Sequence, residues 1–359
     1  MAELIELLKF MIDKGASDLH ITTGTYPRFR LAGKLQSIED YRILTPEDTK
    51  ELCYSFMNEA QIRKFETTSE IDLSFGIKGL SRFRADIFMQ RGAVAGTFRE
   101  IPFDIKSFKE LGIPNAVEDI LKKKHGLIIV TGPTGSGKST TLASMIEWLN
   151  LDREAHIVTI EDPIEFLHSH GKCLINQREL DSDTLSFSSA LKYVLRQDPD
   201  IVMISTLRDL PAVESALTIA ETGHLTLASM QTNSAIQTIG RIIEMFPHQN
   251  HDYARSLLAD SLEGIVYQRL IKRKDGNGRV LAVEILMPTP AIRTLIKEGR
   301  VNQIYPIMQT ARSGMKTLNQ SLIELCKAGT INYEEAVNNS PVPEEIIAKL
   351  PKEKAHDKL

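Results

Sequence analysis

Alternating apolar and polar residues in the first hundred positions predict a β-sheet with one face in solvent. The alternation is clearest in SRFRADIFMQ, and with four similar runs it predicts strands at 18–22, 27–33, 71–77, 81–90 and 93–101. Residues 4–14 and 46–64 have helical spacing, and Thr45 followed by Pro46 is a favourable helix start. The pattern therefore predicts an α+β domain at 1–100, followed by a linker at 101–115.

Beyond the linker, short apolar runs alternate with helical stretches. The runs GLIIV, HIVTI, IVMIS and HLTLASM have the composition of buried strands, and we predict helices at 138–150, 184–197 and 209–222. Strands that alternate with helices are typical of a parallel sheet flanked by helices. We therefore predict an α/β core at 116–288.

The remaining sequence predicts a hairpin and then a group of helices. The turn of the hairpin is the DGNG sequence at 275–278, whose residue types favour tight turns. Helical spacing returns at 291–298, 317–328 and 333–338. We therefore predict a C-terminal helical region at 289–340 and a flexible tail at 341–359.

Composition narrows the function class. The chain has 359 residues, 42% of them hydrophobic, and a net charge of −4, which argues against a nucleic-acid-binding protein because such proteins usually carry a basic excess. The N-terminus lacks the features of a secretory signal peptide. No apolar run has the length of a membrane span. These features favour a cytosolic protein.

One motif carries specific chemistry. The sequence GPTGSGKS matches G-x-x-x-x-G-K-S, follows an apolar strand and opens a predicted helix, which is the context that a P-loop requires. Backbone N–H groups of such a loop bind phosphate oxygens, the lysine reaches the β and γ phosphates, and the serine hydroxyl binds Mg²⁺. We therefore predict ATP and Mg²⁺ as ligands, with Ser139 on the metal. The predicted nucleotide-binding residues are Gly132, Pro133, Thr134, Gly135, Ser136, Gly137, Lys138, Ser139 and Thr140.

Further motifs occur in a characteristic order along the chain: TIEDPIEF, NQREL, LRQDPDI, LRDL, AETGH and TNSA. Together with the P-loop they resemble the bacterial secretion and pilus ATPases, and the pilus retraction ATPases in particular. The resemblance covers nearly the whole chain, from GASDLHIT to AIRTLIKEG. It implies a PAS-like N-terminal domain joined to a RecA-like P-loop ATPase core, and assembly into a hexameric ring.

The resemblance also implies catalytic roles for several residues. Glu165 is the candidate general base, with Glu161 beside it in the acidic box, and His224 stands at the first histidine of the family's histidine box. The resemblance further implies that N-terminal arginines reach the γ-phosphate and that a later arginine serves a neighbouring subunit. The corresponding residues are Arg82, Arg84, Arg99 and Arg241. Arginines at alternate strand positions are equally typical of a solvated sheet face, and that alternative stays open.

Two positions depart from the family pattern. Thr206 stands where the family has the glutamate of its Walker B strand, and Gln231 stands at the second histidine of the histidine box. A threonine hydroxyl carries no charge, and a glutamine amide cannot shuttle a proton. If Glu165 is the base, a slow ATPase survives; if the missing glutamate was the base, the chain binds ATP with little turnover.

Two functional hypotheses follow. In the first, a hexameric motor couples ATP hydrolysis to pilus disassembly and twitching motility, with hydrolysis impaired by Thr206 and Gln231. In the second, a non-hydrolysing paralogue enters a mixed ring and regulates an active pilus ATPase. Both imply an inner-membrane pilus platform protein as partner, no nucleic acid, and peripheral association at the cytoplasmic face of the inner membrane.

Overall fold

A computed structural model describes residues 2–31, 33–101, 105–311 and 314–350. The chain forms two compact units. The first contains Met1–Asp104 together with Pro163–Leu167, and the second contains Ile105–Asp162 and His168–Leu359. The acidic box is therefore divided, because Asp162 belongs to the second unit and Glu165 to the first.

The first unit is an antiparallel sheet covered by helices. Its described part has six strands in the order β3-β2-β1-β6-β5-β4. The strands are β1 (Asp18–Ile21), β2 (Arg28–Leu31), β3 (Lys34–Ser37), β4 (Glu70–Ile77), β5 (Ser81–Gln90) and β6 (Ala93–Ile101). The helices are α1 (Ala2–Asp13), α2 (Pro46–Tyr54) and α3 (Glu59–Thr68).

The alternating sequence of β5 accounts for the two faces of this sheet. Phe83, Ala85 and Ile87 are buried in the core of the unit, whereas Arg82 and Arg84 lie on the opposite, more exposed face. Such period-two burial is what a strand with one covered face requires. The core side is completed by apolar residues of α1 and α2, including Leu4, Leu8 and Leu52.

The helix predicted at 46–64 is two helices. Thr45 begins α2 with a capping box to Asp48, as expected, but Asn58 begins α3 with a second capping box to Gln61. Between them Phe56 stacks on Phe75, with ring centroids 4.2 Å apart. At this break the half-buried Phe56 packs against the core of the first unit.

The second unit is built on a larger, mainly parallel sheet. In its described part seven strands follow the order β13-β12-β7-β11-β10-β8-β9, and only the β12–β13 pair is antiparallel. The strands are β7 (Gly126–Thr131), β8 (His156–Glu161), β9 (Leu174–Glu179), β10 (Ile201–Ile204), β11 (Leu225–Met230), β12 (Leu262–Lys272) and β13 (Arg279–Leu286).

Helices cover both faces of this sheet. They are α4 (Phe108–Leu111), α5 (Ala116–Leu121), α6 (Lys138–Asp152), α7 (Phe187–Val194), α8 (Leu210–Glu221), α9 (Ala235–Glu244) and α10 (His251–Ser261). One face, with Leu127 and Val202, packs against residues of α7 to α10, and the other, with Ile128 and Met203, packs against α5 and α6. Burial on both faces explains the continuous apolar runs in the sequence.

Some elements of this unit were not predicted. Strand β9 and helices α9 and α10 have no counterpart among the elements predicted from the sequence. Part of the predicted linker is also structured, since Ser107 caps α4 and Ser144 on α6 donates a 2.6 Å hydrogen bond to the carbonyl oxygen of Lys106. Residues 102–104 of that linker lie outside the described residues.

The helices of the C-terminal region fall into two groups: the earlier ones pack in the core with α9 and α10, and the later ones pack on β12 and β13. They are α11 (Pro290–Lys297), α12 (Ile304–Thr310), α13 (Leu318–Lys327), α14 (Tyr333–Asn338) and α15 (Pro343–Lys349). The last helix corrects the predicted flexible tail at 341–359, because Ile346 is fully buried and Asn319 binds the carbonyl oxygen of Val342. Residues 351–359 of that tail lie outside the described residues.

Candidate nucleotide-binding site

The P-loop connects the end of β7 at Thr131 to the start of α6 at Lys138. Three of its residues are glycines with positive φ: 151° at Gly132, 74° at Gly135 and 90° at Gly137. Residues with a side chain rarely adopt this conformation. The helix start at Gly137 has no side-chain cap, and the N-terminus of a helix is a favourable site for an anion.

Gly132 also has no room for a side chain. A Cβ atom there would lie 2.4 Å from the carbonyl oxygen of Gln268 and 2.6 Å from Oγ of Ser136. The loop therefore runs directly against strand β12. The glycine at this position is required by packing as well as by φ.

Lys138 lies over the loop that precedes it. Its Nζ donates hydrogen bonds to the carbonyl oxygens of Gly132 and Pro133, each 3.0 Å long. Ser139 and Thr140 follow in the first turn of α6 and are half-buried. The structure thus brings together the predicted nucleotide-binding residues at the carboxyl end of β7.

Gln268 on strand β12 holds the P-loop at Ser136, a role that was not predicted from the sequence. Its side chain is 1% exposed, and its Nε2 donates a 2.7 Å hydrogen bond to the carbonyl oxygen of Ser136. The signal in the sequence is an uncharged polar residue within the apolar run of β12. A buried polar side chain in such a strand indicates a specific hydrogen bond.

A ladder of threonine hydroxyls joins the P-loop strand to α9. Oγ1 of Thr131 lies 2.6 Å from Oγ1 of Thr232, which lies 2.7 Å from Oγ1 of Thr238. Thr131 also donates to the carbonyl oxygen of Met230 at 3.0 Å. Residues 231–234, which we call the β11–α9 segment, are therefore held beside the P-loop, and exposed Gln231 lies at that edge.

His224 lies at the opposite end of β11. Its carbonyl oxygen accepts from the backbone N–H of Gly126, the first residue of β7, at 3.1 Å. The strand that separates this end from the P-loop is six residues long, which corresponds to about 20 Å at about 3.3 Å per residue. The structure does not bring His224 to the P-loop of its own chain.

The side chain of His224 has a local role instead. Its Nδ1 lies 3.2 Å from the carbonyl oxygen of Ile219 and 3.2 Å from the hydroxyl of Thr222. These groups belong to the end of α8. These contacts cap the C-terminal end of α8.

Thr206 and Glu161 lie at the carboxyl ends of neighbouring strands, at the same edge of the sheet as the P-loop. Thr206 comes after β10, which lies two strands from β7, and Glu161 ends β8, one strand further. At about 4.8 Å per strand, Glu161 is on the order of 14 Å from β7 along the sheet. Oε1 of Glu161 accepts from Thr159 Oγ1 at 2.7 Å and Gln177 Nε2 at 2.9 Å.

Glu165 is exposed and belongs to the first unit. The neighbouring acidic residue Asp162 is engaged differently, since it forms a 2.7 Å ion pair with Arg208 of the LRDL motif. Of the two glutamates in the acidic box, Glu161 is therefore the one that belongs to the second unit. Its hydrogen bonds hold the carboxylate in one orientation.

The three predicted arginines share the outward face of the N-terminal sheet. Arg84 and Arg99 are cross-strand neighbours, and each forms an ion pair, Arg84 with Asp72 and Arg99 with Asp18. Arg82 donates a 2.7 Å hydrogen bond to Ser74. Burial would raise the pKa of Asp18, but hydrogen bonds from Ser17 and Arg99 outweigh it and lower the pKa.

Arg241 and the AIRTLI stretch occupy different environments. Arg241 is exposed on α9. In α11, Ile292 and Ile296 are buried, and Arg293 binds the carbonyl oxygens of Ala259 and Asp260 at the end of α10. Arg293 also forms a 2.8 Å ion pair with Glu263. The AIRTLI stretch is therefore a packing helix in this structure.

Comparison with known proteins identifies the family to which this chain belongs. The model of the family described as type II/IV secretion system protein matches residues 102–338. The chain belongs to this family. The match spans the P-loop, the acidic box and the β11–α9 segment.

Curated relatives cover almost the whole chain. The chain is 45% identical over 346 residues to the type IV pilus retraction ATPase PilT of Pseudomonas aeruginosa, covering 95% of the chain and 99% of the relative. It is 40% identical over 336 residues to the type IV pilus ATPase PilU of the same organism, covering 93% and 88%. The resemblance to pilus retraction ATPases is confirmed.

A solved structure extends the agreement to three dimensions. The crystal structure of the pilus retraction motor PilT with bound ADP superimposes with a TM-score of 0.90 at 48% identity, covering 95% of this chain and 98% of the other. The predicted fold, an N-terminal domain and a RecA-like P-loop core, is confirmed, as is the ATPase class.

Replacing Gln268 tests its support of the P-loop. We expect Gln268→Leu to leave the buried carbonyl of Ser136 without its donor, at a cost of about 1–2 kcal/mol. A cost of this size raises the Kd for ATP roughly 5–30-fold if the loop shifts. Calorimetric titration with ATP and Mg²⁺ measures the change, and exposed Gln249 supplies the matched control Gln249→Leu. An unchanged Kd in Gln268→Leu would show that the contact does not shape the loop.

Replacing His224 tests its distance from the nucleotide. We expect His224→Gln to change the Kd for ATP by less than about twofold, since an interaction across roughly 20 Å of protein and solvent is largely screened. The same titration on Lys138→Ala should show a large loss. A tenfold loss in His224→Gln would instead indicate that this histidine reaches the nucleotide of a neighbouring subunit.

Proposed function

We propose that this chain is a motor subunit that uses ATP to disassemble a type IV pilus, driving twitching motility. The observation that carries the proposal is the complete P-loop, formed between β7 and α6 with Lys138 folded over it. The support from relatives is direct, because the chain matches the type IV pilus retraction ATPase PilT of Pseudomonas aeruginosa almost end to end.

The loop suits a nucleotide phosphate and Mg²⁺. Glycines with positive φ expose backbone amides, and Gln268 keeps Ser136 in place beneath them. Among the described residues, no group of three or more His, Cys, Asp or Glu side chains forms a metal site. Ser139 and the phosphates would therefore hold Mg²⁺, which would neutralise charge on the transferred phosphoryl group.

Hydrolysis should be slow in this chain. Thr206 offers no carboxylate after β10, and Gln231 offers no titratable group beside the P-loop. Loss of an outer-shell metal partner typically costs about 10–100-fold in activity. Loss of a general base costs on the order of 100–10,000-fold. We propose that turnover depends on the acidic box, with Glu165 as the base and Glu161 in the same motif.

Ring assembly would complete the active site. Arg82, Arg84 and Arg99 would act on the γ-phosphate held by a neighbouring subunit, and Arg241 would also serve a neighbour. Arg99 is 65% exposed and Arg84 41% exposed, so both are accessible to another chain. Each already pairs with an aspartate, and it would exchange that partner for phosphate oxygens.

A regulatory role is the second candidate. The Thr206 and Gln231 departures favour a paralogue that binds ATP without turning it over and enters a mixed ring. The curated relatives include a second pilus ATPase, PilU, alongside PilT. In this case Lys138 and Ser139 would hold ATP as a structural ligand between subunits.

Both roles place the chain at a membrane machine. None of the helices in the described ranges is long and apolar enough to cross a membrane. We therefore propose peripheral association with an inner-membrane pilus platform protein, at the cytoplasmic face. Nucleic acid is not a proposed partner, since the net charge is −4.

Steady-state phosphate release tests the two roles. We expect the parent protein with Mg²⁺ to exceed Lys138→Ala, and Thr206→Glu combined with Gln231→His to be about 10–100-fold faster, because a metal partner and a titratable group return. Thr206→Gln is the matched control, since it adds the volume of glutamate without its charge and should stay near the parent rate.

The other outcomes of this assay separate the hypotheses. Tight ATP binding without phosphate release from the parent would favour the regulatory paralogue. Failure of the parent to bind ATP would contradict both roles.

Ring formation is a separate prediction. We expect light scattering to show a hexamer that is favoured by ATP and Mg²⁺, because ligand binding between subunits stabilises the assembled state by mass action. The Lys138→Ala variant should show less ATP-dependent assembly. A monomer at every protein and ATP concentration would contradict the ring.

A further inference from the structure

Two side chains on neighbouring strands hold the carboxylate of Glu161. Thr159 on β8 and Gln177 on β9 are cross-strand partners, and Glu161 follows Thr159 by two positions, so the three side chains lie on one face of the sheet. Thr159 is fully buried and Glu161 is 6% exposed. Oε1 of Glu161 accepts from Oγ1 of Thr159 at 2.7 Å and from Nε2 of Gln177 at 2.9 Å. Donors from two strands therefore converge on one carboxylate oxygen.

A second contact of Gln177 fixes the direction of its amide. Oε1 of Gln177 accepts a 2.9 Å hydrogen bond from the backbone N–H of His168. A backbone N–H can only donate and an ionised carboxylate can only accept, so the amide oxygen must face His168 and the amide nitrogen must face Glu161. The reverse orientation would set donor against donor and acceptor against acceptor. The contact with His168 therefore makes Gln177 a donor to Glu161.

His168 begins a segment that is bound to the P-loop helix. Residues 168–173, which we call the return segment, follow the acidic box and lead into β9. Near the end of α6, Asn150 is 2% exposed and its side chain bonds to the return segment. Its hydrogen bonds, of 3.0, 3.0 and 3.2 Å, join the backbone of Ser169, Gly171 and Cys173. The helix that starts at the P-loop thus fixes the return segment.

Gln177 also binds both flanks of the short segment that carries Glu165. This segment, Pro163–Leu167, belongs to the first unit, whereas the chain before and after it belongs to the second. Glu161 lies before the segment and His168 directly after it, and the amide of Gln177 bonds to the two. One side chain therefore defines where the chain leaves the second unit and where it rejoins it.

We propose that Gln177 is a positioning residue of the acidic box, which fixes the Glu161 carboxylate and both ends of the segment that carries Glu165. This role rests on the proposed hydrolysis of ATP and adds no contact with the nucleotide. A carboxylate that acts on an attacking water must keep its direction, and a misplacement of about 1 Å can cost on the order of 100-fold in rate. The contacts of the P-loop with Lys138 and Gln268 do not involve Gln177, so it acts on turnover rather than on ATP affinity.

Steady-state phosphate release by the full chain, with Mg²⁺ and a range of ATP concentrations, tests this role. Gln177→Leu removes the donor and the acceptor. We expect its kcat to fall roughly 10–100-fold while the KM for ATP stays within about twofold of the parent. Gln177→Glu keeps an acceptor for His168 but turns a second carboxylate toward Glu161, so we expect it to be as slow as Gln177→Leu.

A matched control lies at the neighbouring position of β9. Asn176 is exposed, and successive side chains of a strand point to opposite faces, so Asn176→Leu makes a similar change without reaching Glu161. We expect this variant to keep the parent kcat and KM. A loss in Asn176→Leu equal to that in Gln177→Leu would overturn the inference, because disturbance of the strand would then account for both.

The second donor to Glu161 supplies an independent pair of variants. Thr159→Val keeps the shape of the side chain without the hydroxyl, and it leaves the contact of Gln177 with His168 in place. We expect its kcat to fall roughly tenfold at an unchanged KM, and Thr159→Ser, which keeps the hydroxyl, to recover most of the loss. This pair decides the matter if the Gln177 variants do not fold, since a parent kcat in Thr159→Val would then overturn the inference.

The outcomes separate this inference from the proposed function. Phosphate release by the parent together with a parent kcat in Gln177→Leu or Gln177→Glu would overturn the positioning role and leave the motor role intact. A raised KM at unchanged kcat would also overturn it. If the parent does not exceed Lys138→Ala, the same variants are measured in the Thr206→Glu, Gln231→His background. No release there would overturn hydrolysis and the positioning role together.

Discussion

The contact between the P-loop and strand β12 is the constraint on which the site depends. Gly132 approaches the backbone of Gln268 so closely that a Cβ atom would lie 2.4 Å from its carbonyl oxygen. The amide of Gln268 then holds the loop at Ser136. Strand β12 also pairs with β13, and residues of α13 to α15 share a hydrophobic core with these two strands.

Local patterns predicted the parts of the molecule that depend on nearby residues. The P-loop, the buried strands around it and the turn at 275–278 each have a signal within about ten positions. Gln268 is visible only as a polar residue within an apolar run, and the pairing of Thr131 with Thr232 has no local signal, since each acts through a partner far along the chain. Strand pairing, which brings these partners together, cannot be read from periodicity.

In the candidate site, too, a local motif predicted the roles of residues but not their positions in the fold. His224 and Gln231 come from one motif, but the strand between them separates the two positions by the height of the sheet. The role of His224 was inferred from its motif, while its location depends on the direction of β11. The supporting contacts of the nucleotide loop remain intact in spite of Thr206 and Gln231. We propose that the two departures affect turnover, because the contacts of the P-loop with Gln268 and Lys138 involve neither residue.

The distance in sequence between the loop and its support has a consequence for synthesis. Gln268 is separated from Ser136 by 132 positions. A nascent chain that has passed the P-loop but not yet β12 has the glycines of the motif without the strand against which they pack. Domains generally fold as units during synthesis, and long-range pairing is slow. The nucleotide loop therefore acquires its final form only when most of the polypeptide has left the ribosome.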